Sequence, residues 1–251
     1  MMVIKNDREI AKMKNSGRIA ANALHLAGKA LEPGMSTLEL DSIIEKYIRS
    51  QGAVPSFLNY GGFPKSSCIS VNNVVIHGIP SKDCILKNGD IVSIDVGAFF
   101  EGFHGDTAFT FPCGDISPKA KDLLDTTRES LMLGIKKAVV GNRIGDIAST
   151  IQKYVEARSY SVVRDFVGHG VGAKLHEDPS VPNYGTAKRG VRLMPGMTIA
   201  IEPMINEGNY DVEILDDEWT TVTKDGKLSA HFEHSVAITN GEPIILTVPD
   251  L

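Results

Sequence analysis

Cysteine is scarce in this chain. The three present, Cys68, Cys84 and Cys113, are odd in number and widely spaced, which argues against a disulfide framework and for a reducing compartment. No CxxC pair occurs, so a thiolate zinc site is disfavoured too. No apolar run is long enough to span a bilayer. The opening residues, Met1-Met2-Val3-Ile4-Lys5-Asn6, lack the apolar stretch of a signal peptide. The expectation is a soluble cytoplasmic protein with no membrane partner. Neither sign of charge dominates, with 26 basic against 31 acidic residues and a net charge of -5. No basic stripe with interleaved aromatics appears, which disfavours a specific nucleic-acid partner. There is also no Ser/Gly/Pro-rich linker or low-complexity tract, so residues 1–251 read as a single domain.

What the chain does contain is a weak internal repeat, the first feature to seek in an undivided sequence. Residues 34–48 read GMSTLELDSIIEKYI, and 107 residues later 141–155 read GNRIGDIASTIQKYV. The same offset carries NGDIVSIDV (88–96) onto PGMTIAIEP (195–203), which makes Asp95 and Glu202 equivalent. An offset of 99 pairs His77 with His176. Two similar halves around a shared centre are therefore expected.

Periodicity predicts helices over 7–30, 36–50, 118–139 and 143–158. Ser36 and Glu39 form a capping-box pattern, and Ser117 precedes a proline suited to the first helical turn. Strands are predicted over 68–76, 90–99, 104–111, 162–167, 197–205 and 231–239. The class is α+β, with helices covering one face of a largely antiparallel sheet.

Side chains alternate along a strand, and four of these strands share one design. Asp95 sits with Ser93 and Gly97, Asp106 with Ala108 and Thr110, Glu202 with Ala200, and Glu233 with Ser235 and Ala237. The opposite faces carry the bulky residues. A lone acid is ordinarily a solvated surface charge. Four converging carboxylates in apolar strands repel one another and require cations. Two divalent ions could neutralise them, and oxygen ligands with one imidazole suit manganese, iron or cobalt. His169, within Gly168-His169-Gly170-Val171-Gly172, is the candidate nitrogen ligand, the glycines leaving room for its ring. Those glycines do not form a GxGxxG loop, and His176-Glu177 is not an HExxH motif because position 180 is serine.

Several segments together resemble the type I methionine aminopeptidases of bacteria. They are Tyr60–Ser70 (YGGFPKSSCIS), His77-Gly78-Ile79-Pro80, Gly89–Asp95 (GDIVSID), Gly102–Thr107 (GFHGDT), Gly168–Gly172 (GHGVG), Ile201-Glu202-Pro203-Met204 and Phe232-Glu233-His234. The likeness spans nearly the whole chain. It implies the pita-bread fold of two pseudo-symmetric halves. It also implies two divalent metal ions, held by Asp95, Asp106, His169, Glu202 and Glu233, with Asp106 and Glu233 bridging. It gives Glu202 a further part in proton transfer, His176 the stabilisation of the oxyanion, and His77 a contact beyond the scissile bond. Tyr60, Phe63, Cys68 and Trp219 match positions of the methionine pocket, whereas Phe57 and Leu175 replace a cysteine and a phenylalanine often found there. Gly61 stands where a histidine is common. The implied substrates are N-terminal methionyl peptides and nascent chains with a small second residue, with a passing contact to the ribosome. The competing readings are a proline-specific peptidase on the same fold and a metal-free binding module.

Overall fold

The computed structural model describes residues 3–251. The first part of the chain forms α1 (Asp7–Ala30), α2 (Thr37–Ser50), β1 (Val54–Pro55), β2 (Cys68–Val71), β3 (Val74–Ile76), β4 (Ile91–Phe100) and β5 (Phe103–Pro112). The second forms α3 (Pro118–Ile135), α4 (Ile144–Glu156), β6 (Ser161–Val162), β7 (Gly168–Gly170), β8 (Glu177–Val181), β9 (Thr198–Ile201) and β10 (Met204–Asn206). It continues through β11 (Val212–Ile214), β12 (Thr221–Thr223), β13 (Ser229–His231), β14 (His234–Ala237) and β15 (Ile244–Ile245). Strand pairings among the described residues are antiparallel.

The helices start where the sequence supplies caps. Ser36 accepts the Glu39 N–H while the Glu39 carboxylate accepts the Ser36 N–H, so two otherwise orphaned donors are satisfied. Ser117 accepts the Ala120 N–H beside the proline at the start of α3. α3 and α4 end earlier than periodicity suggests, at Ile135 and Glu156.

Two large apolar cores carry the repeat. One joins α1 and α2 to β4, and the other joins α3 and α4 to β9. Residues 107 apart occupy matching places. Leu40 and Ile147, Ile44 and Ile151, Ile48 and Val155, and Ile94 and Ile201 all have 0% exposure. Each such side chain contributes about 1.5–3 kcal/mol by leaving water. The backbone repeats as well. Thr37 N–H donates to Cys84 O and Ile144 N–H to Val191 O, both at 3.0 Å. The isolated bridges Ser36–Ile85 and Arg143–Arg192 are likewise 107 residues apart at both ends.

The halves meet along β5 and the β13–β14 segment, through hydroxyls rather than a continuous ladder. Thr110 Oγ1 accepts His231 N–H and donates to His231 O. Thr107 donates to Glu233 O, and Ser235 bonds both the N–H and the carbonyl of Asp106. This seam sets the carboxylate-bearing stretches of the two halves side by side.

Three predicted strands are each broken, and the breaks matter. Residues 68–76 form β2 and β3, which pair in different sheets, and the strand expected over 162–167 stops at Val162. Residues 197–205 form β9 and β10, which pair in different sheets, and residues 231–239 begin as β13 and resume as β14. Glu202 and Glu233 therefore lie between strands, not on the faces expected from alternation. Pro203 has no N–H with which to continue a ladder. The Glu233 backbone is instead taken by Ala108 of β5, donating to its carbonyl at 2.9 Å.

A candidate metal centre beside an apolar pocket

All eleven site residues expected from the sequence line one cleft of about 200 Å³. Asp95 comes from β4, Asp106 from β5, and His169 from β7. Glu202 and Glu233 enter from the β9–β10 and β13–β14 breaks. Asp106, His169 and Glu233 each offer a ligand atom within 4.8 Å of the others. Asp95 and Glu202 face the same space.

The glycines around His169 serve a different purpose from making room for the ring. A Cβ at Gly168 would sit 2.3 Å from Ala200 O, and one at Gly170 would sit 2.2 Å from Asp178 O. They let β7 lie between β8 and β9 at a spacing no side chain permits. The imidazole is placed by that packing.

Electrostatics of the cluster point to a cation. Burial pushes the carboxyls of Asp95, Glu202 and Glu233 well above the usual range, and repulsion from neighbouring carboxylates, Asp106 first, adds to the effect. Burial raises Asp106 to about 7. One oxygen of each of these four carboxyls is buried without a hydrogen-bond partner, a costly state for an acceptor. Burial first, then the neighbouring His176, pulls His169 down to about 4, so its ring is neutral. Its Nδ1–H donates to Gly170 O at 2.9 Å, which leaves a bare lone pair on Nε2. That lone pair faces Glu202 Oε1 at 3.4 Å and Asp106 Oδ2 at 3.8 Å. Acceptors confronting acceptors need protons or cations between them. The donor set of carboxylate oxygens and one imidazole fits hard divalent ions.

Above the carboxylates stand two histidines. His176 is in edge contact with His169, ring centroids 4.2 Å apart, and its Nδ1 lies 2.7 Å from Tyr60 Oη. Burial and the Asp106 charge raise the Tyr60 phenol above its ordinary value, so it keeps its proton. When that phenol donates to Nδ1, the His176 proton sits on Nε2. His77 holds a left-handed backbone, φ +58°, which costs a non-glycine residue about 1–2 kcal/mol. Strain of this kind gathers at functional sites. Burial brings the His77 ring down to about 4.

The pocket side of the cleft is apolar. Phe57, Phe63, Cys68 and Leu175 form a buried cluster against which Trp219 packs. Phe63 and Trp219 meet edge to face at 5.2 Å. Trp219 reaches His77 because β12 pairs with β3, Thr221 opposite Ile76. Phe57 and Leu175, the departures from the family pattern, are 8% and 2% exposed, so the apolar enclosure is kept. Gly61 lies at the mouth, where a Cβ would reach Trp219 at 3.4 Å.

Three supporting residues escaped the sequence reading. Phe166 stacks edge-on against His77 at 5.6 Å. Asn183 donates to Glu202 O at 3.0 Å. Buried Asp41 accepts from Ser66 N–H, Ser67 N–H and Ser67 Oγ, fixing the approach to Cys68. Only Asp41 had a local signal, an acid on the buried side of an amphipathic helix.

Known proteins are similar to this chain over nearly its whole length. A methionine aminopeptidase of Clostridium perfringens is 55% identical over 99% of both chains. Methionine aminopeptidase 1 of Bacillus subtilis is 51% identical, covering 98% of this chain and 99% of its own. The crystal structure of methionine aminopeptidase from Thermotoga maritima superposes with a TM-score of 0.97 at 45% identity, covering 98% of this chain and 99% of that one. The fold is the α+β pita-bread fold, and the family's metal dependence agrees with the cluster. The model of metallopeptidase family M24 matches residues 11–240, and the chain belongs to that family.

Proposed function

We propose that this chain is a methionyl aminopeptidase that removes the initiator methionine from N-terminal methionyl peptides when the second residue is small. One observation carries the reading: buried carboxylates and a neutral imidazole converge beside an apolar, aromatic-lined pocket. A thioether side chain suits such walls.

We assign to the site two divalent ions, manganese, iron or cobalt, which Asp95, Asp106, His169, Glu202 and Glu233 would hold. When bound, such ions supply Lewis-acid chemistry, lowering the pKa of water and stabilising developing negative charge. The chain's own groups do the rest. Phe63, Cys68, Trp219 and their neighbours seat the methionine side chain and exclude water. Glu202 receives a proton from the attacking water and returns it to the leaving amine. His176, held by Tyr60 with its proton on Nε2, donates to the oxygen of the tetrahedral intermediate. His77 contacts the peptide beyond the scissile bond.

Residues 1–251 act in this reading as one catalytic unit, because each half contributes ligands to the shared centre. The substrates are peptides and nascent chains in the cytoplasm, met by a passing contact with the ribosome. Among the described residues no helix is long and apolar enough to cross a membrane.

The test is kcat/KM for Met-Ala, Met-Gly, Met-Lys, Ala-Ala and Ala-Pro peptides after chelation and stepwise metal return. Met-Ala and Met-Gly should be cleaved well, Met-Lys and Ala-Ala poorly. A lost methylene in an apolar pocket is worth about 1–3 kcal/mol, and alanine forfeits more than one. Best cleavage of Ala-Pro would make the enzyme proline-specific, and full activity without metal would end the two-metal assignment.

A further inference from the structure

The cleft has a buried charge pair behind it that takes no part in the chemistry above. Lys5 is 4% exposed, and its Nζ lies 2.5 Å from Glu177 Oε2. The lysine also donates to Val3 O at 3.3 Å, and its backbone N–H donates to Gly196 O at 2.8 Å. On the other side, Glu177 Oε1 accepts the Lys174 N–H at 3.1 Å. Gly172 N–H donates to Lys174 O, and Gly172 O accepts the His104 N–H. The packing leaves no slack: a Cβ at Gly172 would sit 2.5 Å from Glu177 Oε1 and 2.6 Å from Lys5 Cε. Glu177 directly follows His176 and opens β8, paired with Gly170 next to His169.

A buried ion pair is a weak source of stability, because desolvation offsets most of the attraction, and an apolar pair of the same shape often serves as well. What it does supply is a defined geometry between the segments it joins. Here one partner is anchored through its backbone to the β9 end of the second half. The other sits one residue from the histidine that Tyr60 orients from the opposite side.

We propose that Lys5 and Glu177 are positioning residues for His176, the segment before α1 acting as a strap that holds residues 174–178 against the cleft. The proposal rests on the assignment of His176 to the reacting carbonyl. The ion pair fixes where the imidazole stands, and Tyr60 fixes which nitrogen bears its proton. Misplacing a catalytic group by about 1 Å costs on the order of a hundredfold in rate.

The experiment compares metal-loaded full-length wild type with Lys5→Met, His176→Ala and the double variant on a Met-Ala peptide. In the wild-type background Lys5→Met should lower kcat by about ten- to hundredfold, with KM changed less than about threefold. In the His176→Ala background the same substitution should change kcat by less than about twofold. Bound metal should be equal in the four proteins. Hydrogen exchange at the Lys174 amide should accelerate about tenfold in Lys5→Met. An equal loss of kcat in both backgrounds, or none in the wild-type background, overturns the proposal. His176→Ala with wild-type kcat would instead overturn the role of His176 itself, a separate result. Should Lys5→Met not fold, Glu177→Gln keeps side-chain shape and the acceptor for Lys174 and gives the same comparison. Failure of both to fold would also overturn the proposal, by making the pair a requirement of the whole fold.

Discussion

Metal affinity should rise steeply between pH 6 and pH 7, because the groups that must give up protons are the carboxyls. Burial holds Asp106 at about 7, against an ordinary value of 3.8. A carboxyl titrating at about 7 becomes about fivefold more ionised between pH 6 and pH 7, and because the four carboxyls are neighbours that titration belongs to the cluster as a whole. Asp95, Glu202 and Glu233 are raised as well, and each adds to the slope. An ordinary histidine ligand would contribute about threefold. His169, pulled down to about 4, is neutral across the range and contributes nothing. The stability of the metal-free protein moves the other way. A carboxyl raised in the folded state binds more protons there than in the unfolded chain, so stability falls as pH climbs from about 4 towards 7. Asp106, raised by burial, is one of the groups that produce this loss. The buried histidines have depressed values and act in the opposite sense, losing stability as pH falls below about 6.5. They are neutral at pH 7 with or without metal, so the comparison of stripped and loaded protein isolates the carboxyls. Calorimetric titration of Mn(II) into chelator-stripped protein, in buffers of differing ionisation enthalpy, measures affinity and proton release together. Affinity changing less than about threefold between pH 6 and 7, or release of less than one proton per chain, would refute the reasoning.

Other outcomes follow from the geometry. His169→Ala should weaken metal binding, whereas His77→Ala and His176→Ala should keep metal and lose rate; equal metal loss in all three, measured by calorimetry, would contradict the separation. Tyr60→Phe should leave metal and fold unchanged and lower kcat about tenfold by releasing the His176 tautomer, and an unchanged kcat would remove Tyr60 from that role. Ile44→Ala and Ile151→Ala should each cost about 2–5 kcal/mol in denaturant unfolding. Because these residues lie in separate cores, their effects should add, and strong coupling between them would argue against two independent packing centres.

The helices and the repeat were legible in the sequence because they rest on local chemistry. Ser36 with Glu39 and Ser117 with Ala120 cap helices through contacts three residues away, and a buried stripe at helical spacing needs no knowledge of its partner. The 107-residue offset was visible because both cores bury the same positions, Ile44 with Ile151 and Ile94 with Ile201. The carboxylates stood out for a related reason, an acid within an apolar strand being conspicuous wherever the chain goes. Their placement was not legible. Alternation put Glu202 and Glu233 on strand faces, but Pro203 ends one ladder and Ala108, more than a hundred residues away, claims the Glu233 backbone. The tautomer of His176 depends on Tyr60, 116 residues distant, and the seat of the same histidine depends on Lys5, 172 residues from Glu177. No periodicity encodes such partners, because the interaction exists only once two separately packed halves close on each other. The sequence alone determined which residue types were available for the chemistry and which half each belonged to. The tertiary structure decided their distances, protonation and orientation, since these depend on water being excluded from a cleft that neither half forms alone.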